Sequence, residues 1–427
     1  MYATFATSII GLLIARIPIF LALSIPVLIF IAFTSPAPSV LVIQRMFSGI
    51  DQFPLMAIPF FIMAGNLMST GGLSRRMIRL AISLVGPLHG GLAMTATTGS
   101  MFFSAISGSS PATVVAIGKL IMPAMNEAGY KRSFSVGLLM SAGSLGIVIP
   151  PSIFMIVYGA VTGVSIGALF LAGIGAGLVY GVTLLVACWV YSRWVGLPIS
   201  GHWSGREIWE STRGSAWGIA IPFIVLGGIY GGIFTPTEAA AVTVGYAAFV
   251  TMVIYRELSI RDLIEVLVSS AVTTAQVMII VAAASAFAWY LTTSGFSASV
   301  SQMMVGIGND PIKVLMVINV VILIAGMFLD PNSIIIILVP FLFSVAMAAG
   351  IDPVHLGVVL CVNAAIGMFT PPFGLNLFVA GAIGVSYREA VVGALPFIII
   401  ALLALLLITY VPSVSLWLPS QVYDGIG

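Results

Sequence analysis

Long apolar stretches separated by short polar segments recur along the whole chain, and they predict membrane-spanning helices. A helix needs roughly 20 apolar residues to cross a bilayer. The stretches of about that length are 8–33, 52–69, 133–158, 167–192, 215–233, 236–255, 271–293, 354–380 and 390–418. The ten-residue alternation of a membrane β-barrel is not found. The pattern therefore predicts an all-α polytopic membrane protein, whose first apolar stretch is an uncleaved span.

Two further apolar stretches, 92–127 and 312–349, are too long for one span and are interrupted at their centres. The interruptions are Ser110-Pro111 and Asp330-Pro331. Ser or Asp followed by proline is typical of a helix start, because the side chain caps the first N–H groups and proline suits the first turn. Each stretch predicts a re-entrant hairpin with a polar tip, which needs surrounding protein or a wet cavity. A pair of kinked helices is the alternative.

The basic residues outside the spans predict the orientation of the chain. If each hairpin returns to the side that it left, only Arg45 and Lys313 lie on one face. The opposite face receives Arg75, Arg76, Arg79, Lys131, Arg132, Arg193, Arg206, Arg213, Arg256, Arg261 and Arg388. Because Lys and Arg are enriched in cytoplasmic loops, we predict a cytoplasmic N-terminus and a periplasmic C-terminus in a bacterial inner membrane.

The second half of the chain repeats the first. GIVIPP at 146–151 matches GMFTPP at 367–372, and Ala128-Gly129 matches Ala349-Gly350 at the same offset of 221. Corresponding spans lie an odd number of crossings apart, so the repeats should be inverted, as in many secondary transporters. The predicted units are 1–200, with hairpin 92–127 and broken helix 133–158, and 201–427, with hairpin 312–349 and broken helix 354–380.

Each hairpin precedes a span that is interrupted by the Gly-x-x-x-Pro-Pro motif. Proline removes a backbone donor and frees carbonyl groups of the preceding turn. Uncharged, oxygen-rich openings of this kind suit Na⁺, and half-helix N-termini suit a substrate carboxylate. Small residues also allow close helix packing, and this reading is preferred for isolated residues such as Ser141 and Ser144.

The candidate site residues lie at the hairpin tips and at the two openings. The candidate sodium-binding residues are Ser104, Ser107, Ser109, Gly143, Val148, Pro150, Gly326, Asp330, Gly367 and Thr370. The candidate substrate-binding residues are Ser110, Thr113, Asn332, Ser333 and Asn376. Na⁺ is the only metal expected, as a coupling ion and not a cofactor, because Cys188 and Cys361 lie in apolar runs without a Cys/His cluster.

Charged residues make up 7% of the chain and hydrophobic residues 60%, whereas soluble domains carry about 25% charged residues. Among the few ionisable residues in apolar regions, Glu238 is predicted to complete a capping box with Thr235. Asp330 is predicted to be primarily a helix cap and secondarily a site residue. Arg16 is predicted to reach the membrane interface, and no role is assigned to Lys119. His89, His202 and His355 are expected at the interface. Amphipathic segments at 73–85, 203–213, 259–268 and 297–307 are interpreted as interfacial or connecting helices.

Five segments of the chain resemble the large membrane subunit of tripartite ATP-independent periplasmic (TRAP) transporters. They are FPLMAIPFFIMAGNLM at 53–68, SAISGS at 104–109, IPPSI at 149–153, GVSIGALFLAG at 163–173 and TPTEAAA at 235–241. The resemblance implies an elevator-type, Na⁺-coupled importer of carboxylate solutes. It also implies a separate small four-helix membrane subunit and a soluble periplasmic binding protein as partners, and no nucleic acid.

The residues after the first hairpin tip bear on the substrate, and other features distinguish a transporter from a channel or an enzyme. Some members of the family carry an acidic residue after the first hairpin tip, where this chain reads SSPATV at 109–114. This departure favours sialic acid over C4-dicarboxylates or another organic acid. A channel or structural subunit would explain the spans but not two hairpins inserted from opposite sides. No HExxH motif, membrane aspartate pair or Ser-His pair indicates an enzyme.

Overall fold

The computed structural model describes residues 17–34, 38–197, 199, 201–295 and 310–423, together with positions 5, 7–9, 11, 12 and 15. Within these residues the chain is helical, apart from an isolated antiparallel bridge between His89 and Ile199. Seven of the described helices are long and apolar enough to cross a membrane. The prediction of an all-α polytopic membrane protein is confirmed.

The described helices of the first half run in chain order. They are α1 (Ile19–Thr34), α2 (Val40–Ile50), α3 (Ala57–Thr70), α4 (Leu73–Val85), α5 (Gly91–Ser107), α6 (Ser110–Glu127), α7 (Arg132–Ser144), α8 (Ile153–Thr162) and α9 (Ile166–Val195). A turn of 3-10 helix, Phe53–Met56, leads into α3, and another, Leu145–Ile147, extends α7.

The described helices of the second half follow in chain order. They are α10 (Gly205–Tyr230), α11 (Pro236–Phe249), α12 (Ile260–Thr293), α13 (Pro311–Gly326), α14 (Pro331–Ala348), α15 (Pro353–Gly367), α16 (Leu375–Val379), α17 (Tyr387–Tyr410) and α18 (Ser413–Val422). A turn of π-helix, Val250–Ile254, extends α11, and a 3-10 turn, Ala380–Ile383, follows α16.

Both predicted hairpins are present, as α5–α6 and α13–α14. Gly108 ends α5 in a left-handed conformation with φ +59°, which a residue with a Cβ rarely adopts. Asp330 caps α14 as predicted, because its carboxylate accepts from the backbone N–H groups of Asn332 and Ser333. The prediction for the first tip is wrong in detail: the N-cap residue is Ser109, not Ser110, and its side chain makes no capping hydrogen bond.

Both predicted broken helices are also present. In the first, α7 and its 3-10 turn are separated from α8 by residues 148–152, and Ser152 caps α8 by accepting from Met155 N–H. In the second, residues 368–374 separate α15 from α16. The Pro150-Pro151 and Pro371-Pro372 peptide bonds in the two openings are both cis. The chain therefore contains the same pair of elements, a hairpin followed by a broken helix, twice.

Several predicted boundaries are wrong. The segments 203–213 and 259–268 are not separate helices, because each continues without a break into the following span as α10 or α12. No proline interrupts either junction, so the amphipathic turns and the apolar turns form one helix. The short helix α2 was not predicted, and the last span ends at Tyr410, before Pro412. Segment 73–85 forms α4, whereas 297–307 and Arg16 lie outside the described residues.

The described helices form two packing groups, which contact each other at the two hairpins. The scaffold group contains α1–α4 and α10–α12, and the core group contains both hairpins, both broken helices, α9, α17 and α18. Asn66 ties α3 to α12 by donating to Ser270 Oγ at 2.9 Å. Thr235 and Glu238 form the predicted capping box at the start of α11. The amphipathic α4 contacts both α10 and the hairpin arm α5, so it joins the two groups.

Candidate functional site

The tips of the two hairpins line one cavity of about 340 Å³. Residues 107–112 of the first hairpin and 330–332 of the second form two of its sides, and the scaffold group adds Asn66 and Thr273. Small-molecule sites commonly have volumes of about 300–1,000 Å³ and a few polar groups in an apolar wall. The structure thus brings together residues that are more than 200 positions apart in a cavity large enough for a small solute.

The first tip lies directly against the opening of the first broken helix. A Cβ added at Gly146 would lie 2.5 Å from the carbonyl oxygen of Ser109 and 2.9 Å from the backbone nitrogen of Ser110. Because these are backbone atoms, the contact could be relieved only if the whole tip moved. A glycine is therefore required at position 146. The predicted sodium-binding residue Gly143 makes a similar approach to Val114 of α6. The predicted residues of the tip and of the opening are therefore neighbours.

Hydroxyl groups gather at the end of α5. Ser107 Oγ lies 3.0 Å from Thr113 Oγ1, which donates to the carbonyl oxygen of Ser109 at 2.8 Å. Ser104 Oγ, one turn earlier, is buried and has no hydrogen-bond partner among the described residues. Burying a polar group without a partner costs about 1–3 kcal/mol, which a bound cation would offset. Val148 and Pro150 are buried in the adjoining opening.

The second opening repeats this contact with different residues. A Cβ added at Gly367 would lie 2.6 Å from Cα of Gly326, at the end of the hairpin arm α13. The Phe373 N–H donates to the Met327 carbonyl at 3.0 Å, which holds the opening to the hairpin. Thr370 Oγ1 donates its proton to the Ile366 carbonyl at 2.7 Å. Its lone pairs remain available to a cation, because a hydroxyl has two acceptor positions besides its donor.

A hydrogen bond joins the two repeats beside the cavity. The buried Asn376, in α16, donates from Nδ2 to Ser110 Oγ at 2.8 Å and to the Met140 carbonyl at 3.1 Å. Nearby, Cys361 Sγ donates to the Ile147 carbonyl at 2.9 Å, so the first opening also contacts α15. Two of the predicted substrate-binding residues, Ser110 and Asn376, are thus in direct contact.

We expect the Asn376 side chain to stabilise this junction. Asn376→Ala removes the donor to Ser110 Oγ and to the Met140 carbonyl, and an unsatisfied buried group costs about 1–3 kcal/mol. The variant should therefore have a lower thermal unfolding midpoint in detergent. Ser110→Ala should lower the midpoint less, because Asn376 keeps its bond to Met140. The double variant should lose less than the sum of the single losses, and a strictly additive loss would contradict the direct contact.

The predicted site residues at the tips and openings fall into three sets. Ser107, Ser109, Ser110, Asp330 and Asn332 line the cavity itself. Thr113, Ser333 and Asn376 are fully buried behind it and bond to cavity residues, since the Ser333 hydroxyl donates to the Asp330 carboxylate. The two openings, with Gly143, Val148, Pro150, Gly326, Gly367 and Thr370, flank the tips. The assignment of ligands among these residues stays a prediction.

Asn66 and Thr273 of the scaffold group were not predicted, although both line the cavity. Asn66 is the only amide in the apolar run 53–68, and an isolated polar residue within a span is a signal of function. Thr273 lies in a run of hydroxylated residues on α12 and has no such signal.

The prediction that His355 lies at the interface is wrong. His355 is buried, with its ring nitrogens 2.7 Å from Ser415 Oγ and 3.1 Å from the Thr409 carbonyl oxygen. His89 and His202 are exposed.

Paired hairpins and paired broken helices around one cavity are the architecture of a secondary transport protein. The sequence profile described as "Tripartite ATP-independent periplasmic transporter, DctM component" matches residues 6–414. The chain belongs to this family, and the resemblance found in the sequence is confirmed. It is therefore the large membrane subunit of a transporter that imports its substrate with a binding protein and a small membrane subunit.

Individual proteins extend this comparison. The chain is 45% identical over 377 residues to the C4-dicarboxylate TRAP transporter large permease protein DctM of Pseudomonas aeruginosa, with 88% of each chain covered. It is 35% identical over 419 residues to the sialic acid TRAP transporter large permease protein SiaM of Vibrio cholerae, with 98% of each covered. The crystal structure of the Alcanivorax borkumensis YdaH transporter matches with a TM-score of 0.60 over 86% of both chains. At 15% identity, that match concerns the fold alone.

Proposed function

We propose that the protein imports a carboxylate-bearing solute, coupled to Na⁺ entry, after a soluble periplasmic protein has delivered the solute. A separate small membrane subunit completes the transporter in the bacterial inner membrane. The predicted orientation, with the N-terminus in the cytoplasm, is part of the proposal. The core group would carry the solute across against the scaffold group in an elevator-type movement.

The uncapped start of α6 is the observation that carries this proposal. The N-termini of α6 and α14 both line the cavity. The Asp330 carboxylate occupies the first N–H groups of α14, whereas Ser109 makes no side-chain cap on α6. A helix N-terminus carries a partial charge of roughly +0.5, which favours a bound anion. We therefore place the substrate carboxylate at the first tip, near Ser110 and Ala112.

The two openings are the proposed Na⁺ sites. The first combines the Ser104 hydroxyl, which has no partner among the residues that the structure describes, with the tip of α5–α6. The second combines Thr370 with the contact between Gly326 and Gly367. Hydroxyl and carbonyl oxygens are hard, neutral ligands that can replace the water shell of an alkali cation. Each opening touches a hairpin tip that faces the substrate cavity, so cation binding and solute binding would stabilise the same arrangement of the hairpins.

Two carboxylate-bearing solutes are the candidate substrates. The sequence SSPATV at 109–114 favours sialic acid, whereas the more similar of the two relatives is named for C4-dicarboxylates. Both solutes bear a carboxylate that suits the start of α6. We therefore propose to compare succinate with N-acetylneuraminate, each with its own binding protein.

Uptake into proteoliposomes that contain this chain and its small subunit should require Na⁺. Each positive charge that enters across 100 mV contributes about 2.3 kcal/mol, so a few ions can drive strong accumulation. Replacing external Na⁺ with K⁺ at constant membrane potential should abolish accumulation of the radiolabelled solute. The control is Na⁺-driven uptake without the binding protein, which should also be absent.

Undiminished accumulation in K⁺ would contradict the proposal of sodium coupling. Rapid solute flux in both directions that follows the solute gradient alone would instead indicate a channel. The absence of any flux with either solute and its binding protein would contradict the proposed substrate class.

A further inference from the structure

A second cavity, of about 650 Å³, adjoins the candidate site. It lies between the scaffold helices α3 and α4 and the hairpin arm α6. Asn66, Pro111 and Ala112 line both cavities, so the two meet at the first hairpin tip. The second cavity thus begins where the substrate carboxylate is proposed to lie and extends away from the tip along α6.

One face of α6 forms the wall of this second cavity. The lining residues of the helix are 111, 112, 115, 116, 119 and 120, which recur at intervals of three and four positions. Such residues lie on the same side of an α-helix. Small apolar side chains, Ala112, Val115 and Ala116, therefore lead from the tip to Lys119, about 14 Å along the helix axis.

The charged residues at this cavity are basic. Arg75 and Lys119 line it, and both side chains are exposed. Arg75 is paired with Glu257 at 2.7 Å, but Arg76 also lies 2.6 Å from the same carboxylate group. This cluster therefore keeps a net positive charge. Lys119 has no acidic partner within 4.0 Å in the part of the chain that the structure describes, and no Asp or Glu lines the cavity.

We propose that the second cavity is the release path of an anionic solute and that Lys119 attracts the carboxylate away from the hairpin tip. The inference rests on the proposed function, because it takes the solute to be an anion bound at the start of α6. A positive charge on the wall of a cleft between low-dielectric protein surfaces raises the local concentration of anions. The basic-residue bias places Arg75 on the cytoplasmic face, so this path would lead into the cytoplasm.

Lys119 is assigned a specificity role, because its effect depends on the charge of the solute. It attracts anions and repels cations that pass along the apolar wall of α6, whereas the uncharged oxygens of the openings hold the Na⁺. Replacing Lys119 should slow the release of the solute and leave the sodium concentration for half-maximal uptake unchanged.

Thiol labelling measures the local potential without any substrate. Ala116→Cys places a thiol on the wall one turn before Lys119, and the native Cys188 and Cys361 are buried. The rates of an anionic reagent, sulfonatoethyl methanethiosulfonate, and a cationic one, trimethylammonioethyl methanethiosulfonate, are compared. Adding Lys119→Gln should lower the anionic-to-cationic rate ratio by about threefold or more at low salt, and Lys119→Arg should leave it unchanged. His202→Cys, at an exposed position, is the control, and Lys119→Gln should not change the rate ratio there.

Efflux from preloaded proteoliposomes tests the same residue during transport. Lys119→Gln should slow Na⁺-dependent efflux of the solute by about threefold at low ionic strength and by less at high ionic strength. Lys119→Arg should restore the parent rate, and Lys131→Gln, at an exposed cation outside the cavity, should have no effect. An unchanged rate ratio at residue 116, or equal impairment by Gln and Arg, would overturn the role of Lys119. Loss of sodium dependence in the unmodified protein would instead count against the proposed function.

Discussion

Gly367→Ala should reduce sodium-driven uptake by about tenfold or more while the protein still folds into the membrane. The added Cβ would lie 2.6 Å from Cα of Gly326 and 2.9 Å from its carbonyl carbon, and neither backbone atom can move without shifting the second hairpin. Overpacking of this kind costs about 1–3 kcal/mol. A cost near 3 kcal/mol lowers the ratio of docked to undocked hairpin by about a hundredfold.

Helix propensity acts in the opposite direction and is the smaller effect. Alanine is favoured over glycine by about 0.8–1.0 kcal/mol within a helix, and Gly367 is the last residue of α15. The gain should keep α15 folded, so we expect the variant to elute normally from a sizing column. The loss should therefore be specific to transport.

Gly381→Ala is the matched control for Gly367→Ala. Gly381 follows α16 in the same half of the chain, and a Cβ added there would meet no atom within 4 Å. Its uptake rate in proteoliposomes should equal that of the parent. Parent-like uptake in both variants would show that close contact between the second hairpin and its opening is not needed for transport.

The parts of the fold that local sequence determines were predictable. Asp330 followed by proline predicted a helix start, and the carboxylate does cap α14. The Pro-Pro pairs predicted two openings, because a proline without an N–H cannot continue the hydrogen-bond ladder. These signals work because capping and proline geometry depend on residues only a few positions apart.

The parts that depend on neighbours distant in sequence could not be predicted. The Ser110 hydroxyl bonds to Asn376 instead of capping its own helix, since packing of the two repeats places that amide beside it. The sequence of α12 changes from amphipathic to apolar with no helix-breaking residue between the two parts. The change in composition therefore led to two predicted segments where the structure has one helix. Thr273 faces the cavity only because α12 packs beside the hairpin tips.

The burial of His355 shows the same limit at a helix end. Its position at the start of the predicted span 354–380 suggested an interfacial side chain, because spans usually end near the membrane surface. In the structure, α17 and α18 fold over the start of α15 and provide the Thr409 carbonyl and the Ser415 hydroxyl as partners. The pattern of α15 alone contains no information on those helices.

The two openings are chemically different, and this difference allows the sodium sites to be tested separately. Thr370 has a hydroxyl in the second opening, whereas its repeat partner, Ile149 in the first opening, has none. Ile149 instead packs against α9, where a Cβ added at Gly177 would lie 2.6 Å from Ile149 Cγ1. A change at Thr370 should therefore alter cation binding, and a conservative change at Ile149 should alter packing alone.

Thr370→Val should raise the sodium concentration for half-maximal uptake by about tenfold, the effect of about 1.4 kcal/mol of lost binding free energy. Valine keeps the branched shape of threonine but lacks the oxygen, and the Ile366 carbonyl that accepts the Thr370 proton also loses that donor. Ile149→Val should leave the sodium dependence unchanged and cost about 0.5–1.5 kcal/mol of stability through the lost methylene. The measurement is a sodium titration of uptake in proteoliposomes, with thermal unfolding of both variants in detergent. Overlapping titration curves for Thr370→Val and the parent would remove the hydroxyl from the second sodium site and leave only backbone carbonyls there as candidate ligands.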